Sequence, residues 1–320
     1  MKNKRSIIVG GSGQFGIILA KKLIKKNHKV ILTTRNTERT KKKIQVNNKN
    51  LKIIKLNILA KNKISKILDK YRPDFIFYFA GLSSPGLSFK KPREAFLSNY
   101  QGCKNFLELI QKKNIVCKFL NTSSSEIFAR SNNKLNINSK KIPISPYGKS
   151  KLLSFNLTKQ FREKIYLSAY NAIIFNTESI YREKNYLIPK ICLAAIKAKK
   201  YNLKTSFGDL SVVREWNWCE EQCEYILEFL SKEPQDFILS NNKPFSAKQM
   251  LSYAFKYFNL NFEDYIITDR INFRKKDFKK RLSDNKSIFK KNKISFNYRI
   301  YGNKLIVKLL KYYLRKNLLK

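Results

Sequence analysis

The sequence predicts an α/β protein, a doubly wound parallel sheet with a smaller C-terminal lobe, and three observations carry that expectation. Apolar runs of strand length are followed by segments whose apolar residues recur at helical spacing. A glycine turn, Gly10-x-x-Gly13-x-x-Gly16, separates the first such strand from the first helix. A hydroxyl-rich stretch, Asn121 to Phe128, follows a later strand and precedes a helix that opens with Pro146, Tyr147 and Lys151.

Taken in order, Ser6-Ile7-Ile8-Val9 is a buried strand, and Ile17, Ile18, Leu19, Leu23 and Ile24 mark the helix after the glycine turn. Glycines there let the backbone turn tightly and approach a pyrophosphate resting on the helix N-terminus, so this is a dinucleotide-binding, Rossmann-type start. Lys29 to Thr34 is the second strand and ends in Arg35, where an acid would select NAD; the arginine suits the 2′-phosphate of NADP. Ile53 to Leu56 is a third strand leading into Asn57-Ile58. Asp74 to Phe79 is a fourth, entering the small-residue turn Ala80-Gly81, and one long helix spans Pro92 to Lys112. The next strand ends at Lys118-Phe119-Leu120, so Ser123, Ser124, Ser125 and Glu126 emerge at the carboxyl edge of the sheet, where such folds keep their chemistry. Tyr147 and Lys151 share a helix face. The lysine is expected to lower the phenol pKa, readying Tyr147 to remove a hydroxyl proton that a neighbouring serine holds. Asn171 to Asn176 is a sixth strand. Lys304 to Lys320 is an amphipathic basic helix whose apolar face closes the smaller lobe.

Composition limits the function classes. The 320 residues allow a main domain plus a lobe, and 43% hydrophobic content is ordinary. The net charge of +45, from 67 basic and 22 acidic side chains, would attract anions, but the lysines are spread along the whole chain. With no zinc-finger spacing and no RNP-type aromatic motif, no specific nucleic-acid partner is expected. Cys103, Cys117, Cys192, Cys219 and Cys223 are an odd set without a disulfide framework, and with no signal peptide they suggest the cytoplasm. No apolar run is long enough to span a bilayer. His28, the single histidine, lies in a helix-to-strand turn and reads as structural; its solitude argues against Ser-His-Asp chemistry and a His-rich metal site, and no metal is expected.

Ser124 with Tyr147-x-x-x-Lys151, behind Gly10-x-x-Gly13-x-x-Gly16, resembles the extended short-chain dehydrogenase/reductase superfamily that acts on nucleotide sugars. Asn99, Gly102 and Asn105 add to the likeness. It narrows at Phe175-Asn176-Thr177-Glu178-Ser179 and Ser123-Ser124-Ser125-Glu126, which resemble the Phe-Asn-His-Glu-Ser and Ser-Thr-Ser-Glu signatures of the GDP-mannose 4,6-dehydratase family. Pro189-Lys190-Ile191, Gly208-Asp209-Leu210, Arg214-Glu215-Trp216 and Ser283-Asp284-Asn285-Lys286 fit its later segments. Asn57-Ile58 replaces the usual Asp-Leu and Lys275 replaces a proline, and the likeness runs from Ile7 to about Lys286.

The resemblance implies catalytic roles for Ser124, Glu126, Tyr147 and Lys151. It implies NADP held by Gly10, Gly13, Gln14, Phe15, Gly16, Arg35, Asn57, Ile58 and Ala80 together with Tyr147 and Lys151. A nucleotide-diphosphate sugar, GDP-mannose by preference, would meet Ser125, Asn176, Glu178, Lys190, Arg214, Arg274 and Asp277. The reaction would be a dehydration through an internal hydride shuttle, in a homodimer or homotetramer. A cofactor domain at 1–176, with 212–242 returning to it, would face a sugar-nucleotide lobe at 177–211 and 243–320. The competing readings are an epimerase or 4-reductase on the same scaffold, and a non-catalytic protein that binds nucleotides or nucleic acid through its charge.

Overall fold

The computed structural model describes residues 4–268 and 278–316. Strand and helix alternate through the first half: β1 (Arg5–Val9), α1 (Gln14–Lys25), β2 (Lys29–Thr34), α2 (Thr37–Ile44), β3 (Leu51–Lys55), α3 (Lys61–Tyr71), β4 (Phe75–Tyr78), α4 (Pro85–Lys90), α5 (Pro92–Phe96), α6 (Gly102–Lys112), β5 (Lys118–Ser124), α7 (Pro146–Lys164) and β6 (Ala169–Ile174). Shorter pieces follow: β7 (Thr177–Glu178), α8 (Leu187–Tyr201), β8 (Thr205–Phe207), β9 (Val213–Arg214), β10 (Asn217–Trp218), α9 (Cys219–Phe229) and β11 (Asp236–Leu239). The chain then forms β12 (Phe245–Ser246), α10 (Ala247–Lys256), β13 (Ile266–Thr268), β14 (Lys280–Arg281), α11 (Lys286–Lys291) and α12 (Gly302–Arg315).

The main sheet has the order β11-β6-β5-β4-β1-β2-β3, with every neighbour parallel. β2 and β3 lie to one side of β1, and the chain then returns to lay β4 on the other. The strand order therefore reverses at β1, and a crevice opens at the carboxyl ends of β1 and β4. Strands covered on both faces read as unbroken apolar runs, as Ile7-Ile8-Val9 does, all fully buried. Ile17, Leu19 and Leu23 of α1 pack with Cys223, Ile226 and Phe229 of α9 on one face of the sheet. Ile64 and Leu68 of α3 pack with Phe106 and Ile110 of α6 on the other.

A second core joins α8, α10 and α12 around Trp216 and Trp218. Here α12 buries Leu305, Ile306, Leu309, Leu310 and Tyr313, so its apolar face closes the lobe. Phe289, Ile294 and Tyr298, inside the 243–320 segment expected in that lobe, pack instead with the α1 and α9 core. Among the described residues no helix is long and apolar enough to cross a membrane. The five cysteines are buried and unbridged. His28 is buried with Nδ1 2.9 Å from Ser6 Oγ, and burial lowers its pKa, which keeps the ring neutral.

Several elements differ from the sequence expectation, among them β6, which runs Ala169–Ile174 where the sequence predicts Asn171 to Asn176. β3 starts two residues early, because an edge strand with one exposed face tolerates Lys52. The 92–112 helix holds a π-turn over Leu97–Gln101, which turns buried Asn99 inward so that Nδ2 donates to Leu82 O and Ser150 Oγ, each at 3.2 Å. β5 continues four residues past Leu120, since Thr122, Ser123 and Ser124 pair with Ala172, Ile173 and Ile174 of β6. Two of their hydroxyls find partners: Thr122 Oγ1 donates to Tyr78 O at 2.9 Å, and Ser124 Oγ accepts the Glu126 N–H.

Candidate active site

Ser124, the last residue of β5, caps a short 3₁₀ turn over Ser125–Ile127 by accepting the Glu126 N–H at 3.2 Å. That turn sets Glu126 at the sheet edge with its side chain one-fifth exposed. The next helix is started by Ser145, which accepts the Gly148 N–H at 3.0 Å, and by Pro146 in its first turn. Gly148 lets α7 press on the 3₁₀ turn, because a Cβ there would lie 2.5 Å from Glu126 O. This close approach brings the Tyr147 hydroxyl near the Ser124 side chain and into the field of Glu126.

The electrostatics correct one expectation. Burial pushes the Tyr147 phenol up to about 12; the Ser124 side chain and nearby Arg182 pull it down, while Glu126 and Tyr186 push it further up. Lys151 is not what lowers it. The Lys151 ammonium donates to Thr122 O at 2.8 Å, and burial pushes its own pKa down to about 8. In the chain alone, loss of hydration outweighs the expected pairing.

At the other end of the cleft the glycine turn forms a flat cradle. Gly10 has φ +95° and a Cβ there would stand 2.6 Å from Ala80 N, so the turn after β1 lies directly on the turn after β4. Gly13 caps α1 without a side chain, which leaves the first helical N–H groups facing the cleft. Such a bare, N–H-lined surface fits a dinucleotide pyrophosphate. Gln14 donates to Thr177 O at 3.1 Å and accepts from Ser179 Oγ at 2.8 Å, tying the turn to the segment after β6. Phe15 stacks on Phe79 at 5.4 Å. Arg35 is 85% exposed at the end of β2, 3.8 Å from the Glu94 carboxylate. Arg39 and Lys43 of α2 line the same rim. Asn57 accepts the Leu59 N–H at 3.0 Å, and Ile58 O accepts from Asn105 at 3.0 Å.

On the lobe side, Lys190 donates to Ser206 O at 2.6 Å and sits 4.6 Å from the Phe207 ring centroid. Arg214 is buried and donates through Nη1 to Val213 O at 2.9 Å and Lys279 O at 3.2 Å. Asn176 O accepts from both nitrogens of Asn217, at 2.8 and 2.9 Å. Glu178 is buried, and desolvation pushes its carboxyl up to about 7 against the pull of Arg182. One cleft of about 1530 Å³ is lined by every site residue named from the sequence except Arg274 and Asp277, which lie outside the described residues.

Sequence reasoning missed three residues. Arg182 lies 3.5 Å over the Tyr186 ring, and the Tyr186 hydroxyl meets Ser83 Oγ at 3.0 Å, joining the two sides of the cleft. Arg281 approaches Glu126 from behind, 3.8 Å from its Oε1. In so basic a chain no arginine stands out by type alone.

Comparison with known proteins agrees with this geometry. A family model described as GDP-mannose 4,6 dehydratase matches residues 7–300. GDP-mannose 4,6 dehydratase 1 of Arabidopsis thaliana is 27% identical over 286 residues, covering 85% of this chain and 79% of the relative. The Homo sapiens GDP-mannose 4,6 dehydratase is 26% identical, covering 78% and 71%. Among solved structures, a UDP-N-acetylglucosamine 4-epimerase from Methanobrevibacter ruminantium M1 superposes with a TM-score of 0.85 at 21% identity, covering 99% of this chain and all of the other. A dTDP-glucose 4,6-dehydratase from Streptomyces venezuelae, solved with NAD, gives a TM-score of 0.85 at 16% identity, covering 98% and 97%.

Proposed function

The chain belongs to the GDP-mannose 4,6-dehydratase family, and from that premise we propose that it removes water from a nucleotide-diphosphate hexose, with GDP-mannose the favoured substrate and the 4-keto-6-deoxy sugar the product. The observation that carries the proposal is Glu126 close enough to Tyr147 to act on its phenol, in one cleft that Ser124 also lines. An epimerase or reductase needs one acid/base at the oxidised carbon; water loss from the adjacent carbons needs a second.

Gly10, Gly13 and Gly16 would hold the pyrophosphate of a nicotinamide dinucleotide, with Ala80 under its near face and Tyr147 and Lys151 beside its reactive end. The structural neighbour solved with NAD supports such a cofactor, and Arg35 at the end of β2 favours NADP. When bound, the oxidised nicotinamide supplies a reversible acceptor for the hydrogen taken from C4 and returned at C6, together with a positive charge near the phenol. Ser124 holds the C4 hydroxyl, and Tyr147 takes its proton as the carbonyl forms. The C4 carbonyl acidifies C5. Glu126 takes the C5 proton, the C6–O bond breaks, and Glu126 gives that proton to the departing hydroxyl; as hydrogen returns to C6, the proton held by Tyr147 goes to C5, so one water leaves with no net oxidation. Lys190 and Arg214 offer cations from separate segments to the diphosphate.

The test is incubation with GDP-mannose and NADP+, followed by mass and carbonyl analysis of the sugar nucleotide. Loss of one water without net NADPH is expected. Glu126→Gln should lower its rate about 10²–10⁴-fold while cofactor affinity stays unchanged. A product of unchanged mass would point to epimerisation, and full turnover by Glu126→Gln would refute the assignment of Glu126.

A further inference from the structure

Arg281 lies behind the catalytic turn, in none of the segments that carry the family likeness most specifically. It sits on β14, paired in parallel with β9 so that Arg281 is the register partner of Arg214. Both side chains are therefore directed to the same side of that small sheet. Arg214 lines the cleft, whereas Arg281 is 3% exposed and does not. Its guanidinium donates through Nη1 to Ser125 O, packs 3.9 Å over the Phe278 ring, and lies with Nε 3.8 Å from Glu126 Oε1.

One rigid fork thus meets both the backbone of the 3₁₀ turn and the carboxylate that the turn presents. A guanidinium suits that double task, because its donors are fixed in one plane and it stays charged when desolvated. The Ser125 contact fixes the turn whose N–H at Glu126 is held by Ser124. The Glu126 contact limits the rotamers of a side chain that is otherwise open to the cleft. Burying a guanidinium is costly unless an acidic group faces it, and the Glu126 carboxylate lies 3.8 Å from Arg281.

Resting on the proposed role of Glu126, we propose that Arg281 is a positioning residue for the water-loss step: it holds the Glu126 carboxylate aimed at the sugar, and it touches neither substrate nor cofactor itself. A carboxylate displaced by about 1 Å from its proton acceptor position costs about 10²-fold in rate.

The test compares Arg281→Met, Arg281→Lys, Glu126→Gln and the Arg281→Met/Glu126→Gln pair in the full chain, reading keto-product formation, NADPH affinity and melting temperature. Arg281→Met is expected to lower kcat about 10²-fold with KM within about twofold and cofactor affinity unchanged, and Arg281→Lys to recover about tenfold of that loss. In the Glu126→Gln background, Arg281→Met should change the residual rate by less than about twofold, because the group it acts through is gone. A kcat within about threefold of wild type for Arg281→Met, or an equal loss in both backgrounds, overturns the proposal. Should Arg281→Met fail to fold, Arg281→Lys decides alone: a kcat loss above about threefold at unchanged melting temperature supports positioning, and wild-type kcat overturns it. If wild type and Glu126→Gln turn over equally, the reading of Glu126 fails first and independently.

Discussion

Replacing Glu178 by glutamine should stabilise the cofactor-free protein at neutral pH and above, although Arg182 lies within 4.0 Å of its carboxylate. Glu178 is 3% exposed, and its Oε2 accepts no hydrogen bond among the described residues. Desolvation therefore outweighs the arginine, and the folded carboxyl stands at about 7 against 4.5 for a free one. A raised pKa means that the folded state binds the proton more tightly. The stability this contributes is complete below about pH 4.5 and is lost as pH rises through about 7. At about 1.4 kcal/mol per pH decade, that interval is worth about 3 kcal/mol. Glutamine matches the neutral form and does not titrate. The difference in unfolding free energy between variant and wild type should thus move by about 3 kcal/mol in favour of Glu178→Gln between pH 4.5 and 8. Groups that titrate in both chains cancel from that difference, as does any fixed cost of the amide. Urea unfolding at several pH values measures it, provided the slopes with denaturant agree. A difference that stays flat with pH, or moves towards wild type, would refute the dominance of desolvation at this site.

Gly16→Ala would bring a Cβ to 2.6 Å from Gly10 O and 2.9 Å from Gly11 Cα, whereas Gly13→Ala meets Gly10 O only at 3.4 Å. The first should weaken NADPH binding at least about tenfold, by a strain of about 1–3 kcal/mol, and the second much less, as read by NADPH fluorescence titration. Arg35→Ala should lower NADP affinity about tenfold and leave NAD affinity unchanged, since only the 2′-phosphate loses a charged donor; calorimetric titration distinguishes the two. Asn99→Ala removes a buried donor shared by Leu82 O and Ser150 Oγ and should cost about 1–3 kcal/mol, read as a lowered Tm.

Much of the sheet could be read directly, because strands buried on both faces and helices with one apolar stripe leave periodic traces. Ile7-Ile8-Val9 and the α1 residues Ile17, Leu19 and Leu23 are such traces, and all six are fully buried. Where periodicity was lost, tertiary pairing had taken over. Thr122, Ser123 and Ser124 look like a loop by composition, yet β6 supplies their backbone partners and holds them in the strand. Phe289, Ile294 and Tyr298 follow the lobe in sequence but pack with the sheet, a choice made by shape that no local pattern records. The π-turn at Leu97–Gln101 is equally silent, since it adds one residue to a helix without altering its polarity.

The candidate site divides along the same line. Glycines and the Tyr-x-x-x-Lys spacing could be read because each demands a residue type, whereas Arg281 and Arg182 act through long-range contacts in a chain with 67 basic residues. Tyr147 is the sharper case. Sequence spacing puts Lys151 one helical turn away and says nothing of solvent, but both groups are buried, and the lysine spends its proton on Thr122 O. A phenol at about 12 beside an ammonium at about 8 is not yet a base at neutral pH. The missing ingredient is positive charge close to the hydroxyl, and Glu126 adds charge of the wrong sign. For Tyr147 to serve as the proposed base, that positive charge has to arrive with the ligand, because the folded chain alone leaves the phenol at about 12.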